Sequence, residues 1–293
     1  MYELIQISDI SYYVQSPAKI GIVKLSEREV CLIDSGSDKD AGKKVRKILE
    51  REGWTLRAIY NTHSNADHIG GNKYLKEVTS CKIYAPGAEC AFTRYPYLEP
   101  SLLYGANPSK NLRGKFLMAE PSEAEELTEE KLPEGFEIIS LPGHFLDMVG
   151  FRTPDGTVWL ADAVSSKETL DKYGIGFIYD VGKYLETLGR VKNFEAKLFV
   201  PSHAEVTDDV RELAEYNEAA VQRIAEKISE CCTGGIAFEE LLSRIFTEFG
   251  LKMTFEQHAL VGSTVRSYLT YLCECSRVEP IIENNKILWK KII

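Results

Sequence analysis

The chain has 293 residues and a mass of 33.0 kDa, which is long enough to bury a large hydrophobic core. Its composition is ordinary for a soluble globular protein, with 44% hydrophobic residues, 27% charged residues and a formal net charge of −9. The negative charge argues against nucleic-acid binding, because neutralising phosphates requires concentrated lysine and arginine. The chain shows neither a signal-peptide pattern nor an apolar run near the roughly 20 residues that span a bilayer, so we expect no membrane segment.

The seven cysteines are odd in number and form no CxxC pair. Unpaired thiols in this arrangement are typical of reduced proteins. The cysteines therefore predict a cytoplasmic location and no disulfide framework.

The N-terminal part of the chain alternates short β-rich runs with turn residues. These runs predict antiparallel strands at residues 4–7, 11–14, 20–25 and 30–33. The fourth run ends in the polar turn Asp34-Ser35-Gly36. A helix is predicted from Asp40 to Glu52, with Gly53 as its stop, and a strand from Arg57 to Asn61 follows.

The loop after the strand at 57–61 is rich in residue types that bind metals. Within six positions it carries His63, Asn65, Asp67 and His68. A loop between a strand and a helix can direct alternate side chains into one pocket, and imidazole, carboxylate and carboxamide groups all ligate or orient metals. Of the five histidines in the chain, two others also follow hydrophobic strands: His144 and His203. This distribution indicates a metal site.

Residues 92–130 show no sustained hydrophobic period and combine prolines and aromatic residues with isolated basic side chains. Loops of this length are usually functional lids or disordered, and the aromatic residues favour an ordered lid. The alternative is a packed, irregular insertion far from the metal site.

Strands are predicted again after the insertion, at residues 137–141, 148–152, 158–161 and 198–203. Three of them end in short polar motifs: Pro142-Gly143-His144, Ala161-Asp162 and Pro201-Ser202-His203. A helix from Asp180 to Lys192 is predicted between the last two strands.

The composition changes at about Asp208, where a long helix is predicted with Thr207 or Asp208 as its cap. Helices at 238–249 and 255–275 follow, and the tail predicts a hairpin that turns at Asn284-Asn285. Helices closed by a hairpin are typical of a winged-helix module. We therefore divide the chain into a metal-binding domain, residues 1–207, and a helical, winged-helix-like domain, residues 208–293.

The module that closes the chain, counted over residues 236–293, is electrically neutral, with seven basic and seven acidic residues. Nucleic-acid binding therefore has no electrostatic support. We expect a structural or dimerising role for this module, so homo-oligomerisation is compatible with the sequence.

Taken in order, these motifs resemble the metallo-β-lactamase superfamily over residues 20 to 205. Asp34-Ser35-Gly36 is similar to the family's early strand-Asp-Gly signature, and residues 63–68 resemble its HxHxDH motif. Three later motifs of the chain are similar to the family's Gly-His, Gly-Asp and last Pro-Gly-His elements, in that order: Pro142-Gly143-His144, Ala161-Asp162-Ala163 and Pro201-Ser202-His203. The resemblance implies an α+β fold, a four-layer αββα sandwich with metals along one edge, and a metal-dependent, mainly zinc-dependent, hydrolase.

Carried over by position, the resemblance implies two metal sites that share a carboxylate. The first site takes His63 and His144, the second takes Asp67, His68 and His203, and Asp162 bridges them. Asn65 departs from the family, which has a second histidine there, and a carboxamide oxygen binds zinc more weakly than an imidazole does. Asn65 either ligates the metal or hydrogen-bonds to metal-bound water.

Three metal contents stay open after this departure: one metal in the second site, an unequal pair, or a more oxygen-tolerant metal such as manganese or iron. We expect a full or half-occupied pair, with zinc as the default. Asp34 is predicted to steady the loops from behind the ligands. His258 matches no motif and is predicted to be structural.

The resemblance also implies a reaction. A bound metal would lower the pKa of water from about 15.7 to about 7, and Asp67 is the candidate catalytic residue that orients the attacking hydroxide. We expect a small-molecule substrate with an ester, thioester or related bond, and the glyoxalase II type of thioester hydrolase is the nearest analogy. One alternative is a non-catalytic metal-binding sensor. Another is a diiron oxidoreductase, but that class has a carboxylate at the position of Asn65 and a flavin domain.

Overall fold

The computed structural model describes residues 2–292, and two β-sheets lie at its centre. The first sheet consists of β1 (Leu4–Gln6), β2 (Ser11–Val14), β3 (Ile20–Lys24), β4 (Glu29–Ile33), β5 (Thr55–Tyr60), β6 (Lys82–Ala85) and β7 (Glu125–Glu126), in that spatial order. The pairs from β1 to β4 are antiparallel, as the sequence predicts, and the pairs from β4 to β7 are parallel.

Parallel neighbours need crossover connections, and helices supply them. These are α1 (Lys39–Glu52), α2 (Ala66–Ile69), α3 (Asn72–Thr79), α4 (Gly87–Arg94) and α5 (Leu98–Tyr104). The ends of α1 follow from its sequence: the Asp38 side chain accepts hydrogen bonds from two backbone N–H groups of the first turn, and Gly53 closes the helix in the left-handed conformation with φ 69°.

The second sheet has four strands: β8 (Glu137–Ser140), β9 (Val149–Arg152), β10 (Thr157–Ser165) and β11 (Leu198–His203). β8 and β9 pair antiparallel, as do β9 and β10, whereas β11 lies parallel to β10. The crossover between β10 and β11 contains α6 (Lys167–Tyr173) and α7 (Val181–Val191).

The C-terminal part is mostly helical. It contains α8 (Arg211–Cys231), β12 (Ile236–Ala237), α9 (Phe238–Glu248), α10 (Phe255–Glu274), β13 (Val278–Glu283) and β14 (Lys286–Lys291). The predicted hairpin is present, because β13 and β14 pair antiparallel and β12 adds to β14. Within residues 2–292, none of the helices has the length and apolarity needed to cross a membrane.

Three hydrophobic clusters stack the elements into four layers. One cluster joins the outer face of the first sheet to α1 and α3 through residues such as Val45 and Leu75. The second lies between the sheets, where Ile33 of β4 meets Trp159 of β10. The third covers the outer face of the second sheet with α7 and α8 and continues into α9 and α10. This is the αββα sandwich of the α+β class, and each large apolar side chain buried in it contributes roughly 1.5–3 kcal/mol.

β10 is longer than the sequence predicts. It was expected to end at Ala161, but it continues through Asp162 to Ser165, with Ala161 at φ 49° and an irregular register against β11. The buried residues Ala163 and Val164 extend the apolar run, as expected of a strand covered on both faces. Asp162 therefore lies inside a strand beside an irregularity, and the prediction of a strand end was wrong.

The predicted cap of α8 was also wrong. The helix begins at Arg211, and the residue at the capping position, Val210, has no side-chain acceptor for the N–H groups of the first turn. Thr207 exchanges two backbone hydrogen bonds with Phe199 of β11, so its backbone belongs to the edge of the sheet rather than to the helix.

The insertion at residues 92–130 is ordered and partly helical. Besides α5 it contains 3₁₀ turns at Lys110–Arg113 and Glu129–Lys131. Leu103, Leu112 and Leu117 pack against Ala259 of α10. The helical period of α5 escapes sequence analysis because the helix has only seven residues.

Candidate metal centre

Seven predicted side chains from four parts of the chain meet in one cluster. The loop after β5 and the start of α2 supply His63, Asn65, Asp67 and His68; the others are His144 after β8, Asp162 in β10 and His203 at the end of β11. The motif loop packs tightly on the turn after β4. A Cβ on Gly70 would lie 2.3 Å from the carbonyl carbon of Ser37, so only glycine permits this approach.

The first group of candidate ligands surrounds one side of Asp162. His68 Nε2 lies 3.2 Å from Asp162 Oδ1, and His203 Nε2 lies 3.2 Å from Asp162 Oδ2. Asp67 Oδ2 is 3.4 Å from His203 Nε2 and 3.8 Å from His68 Nε2. Ligands bound tetrahedrally at about 2.0–2.1 Å are about 3.4 Å apart. These four side chains are thus spaced to share one ion.

The second group lies on the other side of Asp162. Candidate ligand atoms of His63, His144 and Asp162 all fall within 4.8 Å of one another, and His144 Nε2 lies 3.6 Å from Asp162 Oδ2. Asn65 directs its amide oxygen to the same place, 3.1 Å from His144 Nε2. Asp162 therefore borders both groups, and Asn65 occupies the edge of the second.

Three buried polar atoms in this cluster have no hydrogen-bond partner among the described residues: His63 Nε2, His68 Nε2 and Asp162 Oδ1. Leaving one such atom unsatisfied costs about 1–3 kcal/mol. Imidazole nitrogens and carboxylate oxygens are metal-ligand atoms, so bound cations would satisfy all three. The donor set fits the group that the fold class implies.

Hydrogen bonds behind the histidines fix which ring nitrogen faces the centre. Asp34 Oδ2 accepts from His68 Nδ1 and from the Thr62 hydroxyl, both at 2.8 Å. Because that hydroxyl donates its hydrogen bond to Asp34, it can only accept from His63 Nδ1, 2.9 Å away. In the neutral form of each ring Nδ1 then carries the proton, and both Nε2 atoms are available to a metal. This arrangement agrees with the prediction that Asp34 steadies the loops.

A backbone hydrogen bond to the loop between β2 and β3 orients His203 in the same way. Its Nδ1 donates to the backbone oxygen of Pro17 at 3.0 Å, which leaves Nε2 facing Asp67 and Asp162. Lys19 supports the strand end by donating to the backbone oxygens of Pro201 and Ala204.

The acid–base properties of the cluster are typical of a cation site. Burial, with the adjacent His68, holds the pKa of His63 well below its ordinary value. Burial opposes protonation of His203, but Asp162 and Asp67 outweigh it and raise the pKa of His203 to about 10. The carboxylates thus draw protons onto neighbouring imidazoles, and a bound metal takes the place of those protons.

Two buried carboxyl groups at the centre were missed by sequence analysis. Glu99 of α5 is 6% exposed, and its Oε1 accepts a hydrogen bond of 2.8 Å from Asn65 Nδ2. Glu89 of α4 is fully buried and accepts from the backbone N–H groups of Ser64 at 3.1 Å and Asp147 at 3.0 Å. The insertion that begins at residue 92 therefore contacts the centre, and the alternative that placed it far away was wrong.

Glu99 carried a signal that could have identified it. It is the only charged residue between Tyr95 and Tyr104. A single carboxyl in an otherwise apolar segment is buried only when it has a partner. Burial raises the pKa of Glu99 well above its ordinary value, although the hydrogen bond from Asn65 acts in the opposite direction.

Comparison with known families supports the same architecture. The family described as the metallo-beta-lactamase superfamily matches residues 16–203. Among curated proteins, the chain is 28% identical over 151 residues to a hydroxyacylglutathione hydrolase from Hyphomonas neptunium, which is 50% of this chain and 48% of that protein. It is 29% identical over 136 residues to the protein of the same name from Brucella ovis, covering 46% of this chain and 42% of that one. The chain thus spans about half the length of the curated relatives it matches.

Solved structures match over almost the whole chain. A beta-lactamase domain protein from Burkholderia ambifaria superposes with a TM-score of 0.73 at 15% identity, covering 99% of this chain and 94% of the other. A metallo-beta-lactamase family protein from Thermus thermophilus gives 0.71 at 16% identity, covering 99% and 97%. At such identities the likeness concerns the fold alone, and it includes the C-terminal helices.

Proposed function

The chain belongs to the metallo-β-lactamase superfamily, and on that premise we propose that it is a metal-dependent hydrolase of a small ester, thioester or related substrate. The observation that carries the proposal is that His63 Nε2 and His68 Nε2 are buried with no hydrogen-bond partner among residues 2–292, beside the Asp162 carboxylate that lies 3.2 Å from His68 and His203. A thioester is the first choice of substrate, because the curated relatives are named hydroxyacylglutathione hydrolase.

The proposed ligands are the two groups around Asp162: the second group would hold the first metal, and the first group would hold the second metal. His63, His144, Asn65 and Asp162 would hold the first metal; Asp67, His68, His203 and Asp162 would hold the second. Zinc is our default, because imidazole and carboxylate ligands suit it, whereas the amide oxygen of Asn65 leaves manganese or iron as alternatives. When bound, the metal makes water acidic enough to form hydroxide near pH 7 and polarises the electrophilic carbonyl.

Asp67 is the proposed catalytic residue of the chain itself. Its side chain is 42% exposed, more than those of the histidines it faces, so it can reach both the centre and an incoming water. Burial opposes ionisation of Asp67, but His68 and His203 outweigh it and hold the pKa of Asp67 below its ordinary value. The ionised carboxylate accepts a hydrogen bond from the attacking water and orients it toward the substrate.

Aromatic side chains form an apolar wall beside the second group, which contains His144. The Phe177 ring lies 5.6 Å from the His144 ring, and Phe145 packs against both Phe177 and Tyr179. We assign the acyl part of the substrate to this wall, because apolar surface there excludes water from the reacting carbonyl.

We propose that residues 1–207 form the catalytic part of the chain and that residues 208–293 support it. Helices α8 to α10 share a hydrophobic cluster with β10 and α7, which supports a bracing role for the winged-helix-like part. The balanced charge of residues 236–293 favours no nucleic-acid partner, and homo-oligomerisation through this part is compatible with the bracing role. The seven free thiols support a cytoplasmic location.

Metal analysis combined with turnover tests the proposal. Protein purified without added metal is assayed against a glutathione thioester, a lactone and bis-p-nitrophenyl phosphate, before and after chelation. We expect thioester hydrolysis that chelation abolishes and zinc restores, and that His68→Ala removes. His258→Gln, which changes a histidine outside the centre, should retain it.

A protein that binds metal yet turns over none of these substrates would instead favour the non-catalytic sensor. A protein that binds no metal would contradict both hypotheses.

A further inference from the structure

The side chain of Asn65 is hydrogen-bonded on both sides. Its Nδ2 donates to Glu99 Oε1 at 2.8 Å, and its Oδ1 lies 3.1 Å from His144 Nε2. An amide can present either its oxygen or its NH₂ group in a given direction, and only its partners decide which. At this position the choice has a chemical consequence, because an oxygen attracts a cation and an NH₂ group repels one.

Glu99 is well placed to make that choice. Glu99 Oε1 is the acceptor in this contact, so the NH₂ group of Asn65 faces Glu99 and the amide oxygen faces the centre. Glu99 is 6% exposed, which excludes competing water from the contact.

The element that carries Glu99 is itself anchored. Leu103 of α5 packs in a cluster with Leu112, Leu117 and Ala259, so the insertion is held against α10. Phe177, which stands beside His144, packs against the same cluster. The position of Glu99 is therefore set by the core of the insertion rather than by the motif loop.

We propose that Glu99 is a positioning residue that holds the Asn65 amide with its oxygen toward the first metal site and thereby sets the occupancy of that site. The inference rests on the proposed function, because it concerns the ion expected between His63, His144 and Asp162. The insertion thus supplies, from a distant part of the chain, the support that lets a carboxamide stand where the family has an imidazole.

Stepwise metal affinities test the proposal. Zinc is titrated into the metal-free protein against a chromophoric chelator, which yields one affinity for each site. Glu99→Leu keeps the apolar bulk and removes the acceptor, and we expect the weaker, first-site affinity to fall about 10–100-fold while the second-site affinity stays within about twofold. Glu99→Gln keeps an acceptor oxygen and should restore most of the loss.

Two further variants separate the mechanism from simpler effects. Glu120→Gln removes an exposed carboxylate from the same insertion and should change neither affinity. In the Asn65→Ala background there is no amide to orient, so Glu99→Leu should have no additional effect on the first site. An additional loss there would mean that Glu99 contacts the ion directly, and the inference would be wrong.

Other results also overturn it. Equal weakening of both sites by Glu99→Leu would show a general structural role, and an unchanged first site would show no role. If the wild-type protein binds one zinc and hydrolyses thioesters, the inference fails while the proposed function stands. If the wild-type protein binds no zinc, both the proposed function and the inference are wrong.

Discussion

Replacing Asp34 by asparagine should weaken metal binding without disturbing the backbone. Asp34 has φ 61°, a conformation that asparagine tolerates, so the substitution acts on hydrogen bonds alone. Oδ1 accepts from the Thr62 backbone N–H, and Oδ2 accepts from the Thr62 hydroxyl and His68 Nδ1. An asparagine has a single acceptor oxygen, so in either orientation its NH₂ group faces another donor.

The magnitude follows from those contacts. One mismatched buried donor costs about 1–3 kcal/mol with or without metal. When the NH₂ group takes the place of Oδ2, His68 Nδ1 also loses its acceptor, and the ring is released from the tautomer that ligates, which typically weakens metal binding about 10–100-fold. Since each tenfold is about 1.4 kcal/mol, saturating zinc should stabilise Asp34→Asn by about 1.4–2.7 kcal/mol less than it stabilises the wild type.

Urea unfolding at fixed free zinc, and again with excess chelator, measures that difference. Asp38→Ala is the matched control, because Asp38 caps α1 away from the centre. Asp38→Ala should lower the free energy of unfolding by about 1 kcal/mol, equally with and without zinc. The reasoning is refuted if Asp34→Asn lowers the free energy of unfolding equally with zinc and with chelator.

Three further outcomes follow. Asn65→His should raise the zinc content of the purified protein towards two, measured by elemental analysis; an unchanged content would mean that Asn65 does not limit occupancy. Burial raises the pKa of Glu89 to about 7 from 4.5, so its stabilising contribution is present below pH 4.5 and is lost as the pH rises through 7. Metal-free wild type should therefore lose up to about 3 kcal/mol relative to Glu89→Gln between about pH 4.5 and pH 8 in urea unfolding, and parallel pH profiles would contradict this. His258→Gln should leave metal content unchanged and shift the unfolding free energy by less than about 1 kcal/mol, because His258 pairs with the exposed Glu239 carboxylate at 3.0 Å; a loss of zinc would contradict a purely structural role for His258.

Much of the fold is determined by local sequence. The runs that became β2, β3 and the C-terminal hairpin are read from β-branched and aromatic residues bounded by turns, and these signals act within a few positions. The same holds for α1, whose cap, apolar stripe and closing glycine all lie within the helix or next to it. The candidate ligands share this property, because His63, Asp67 and His68 stand in one short motif at a strand end.

Local signals failed where the tertiary structure overrides them. Thr207 has the chemistry of a helix cap, but pairing with Phe199 commits its backbone to the sheet. The sequence predicts that the strand ends before Asp162, but the buried residues after it continue β10 to Ser165. In both cases packing against a neighbour outside the local window outweighs the propensity of the residue itself.

The partners of the centre were decided by packing alone. Nothing near position 65 indicates that Glu99 will meet it, and nothing near position 34 specifies His68 as its partner. These pairs form because the insertion packs on α10 and because parallel strands bring their ends to one edge of the sheet. The sequence by itself determined which side chains can hold a metal and in what order they occur. Only the tertiary structure decided which carboxyl groups stand behind them, because a buried polar group takes its partner from whatever the folded core places within hydrogen-bonding distance.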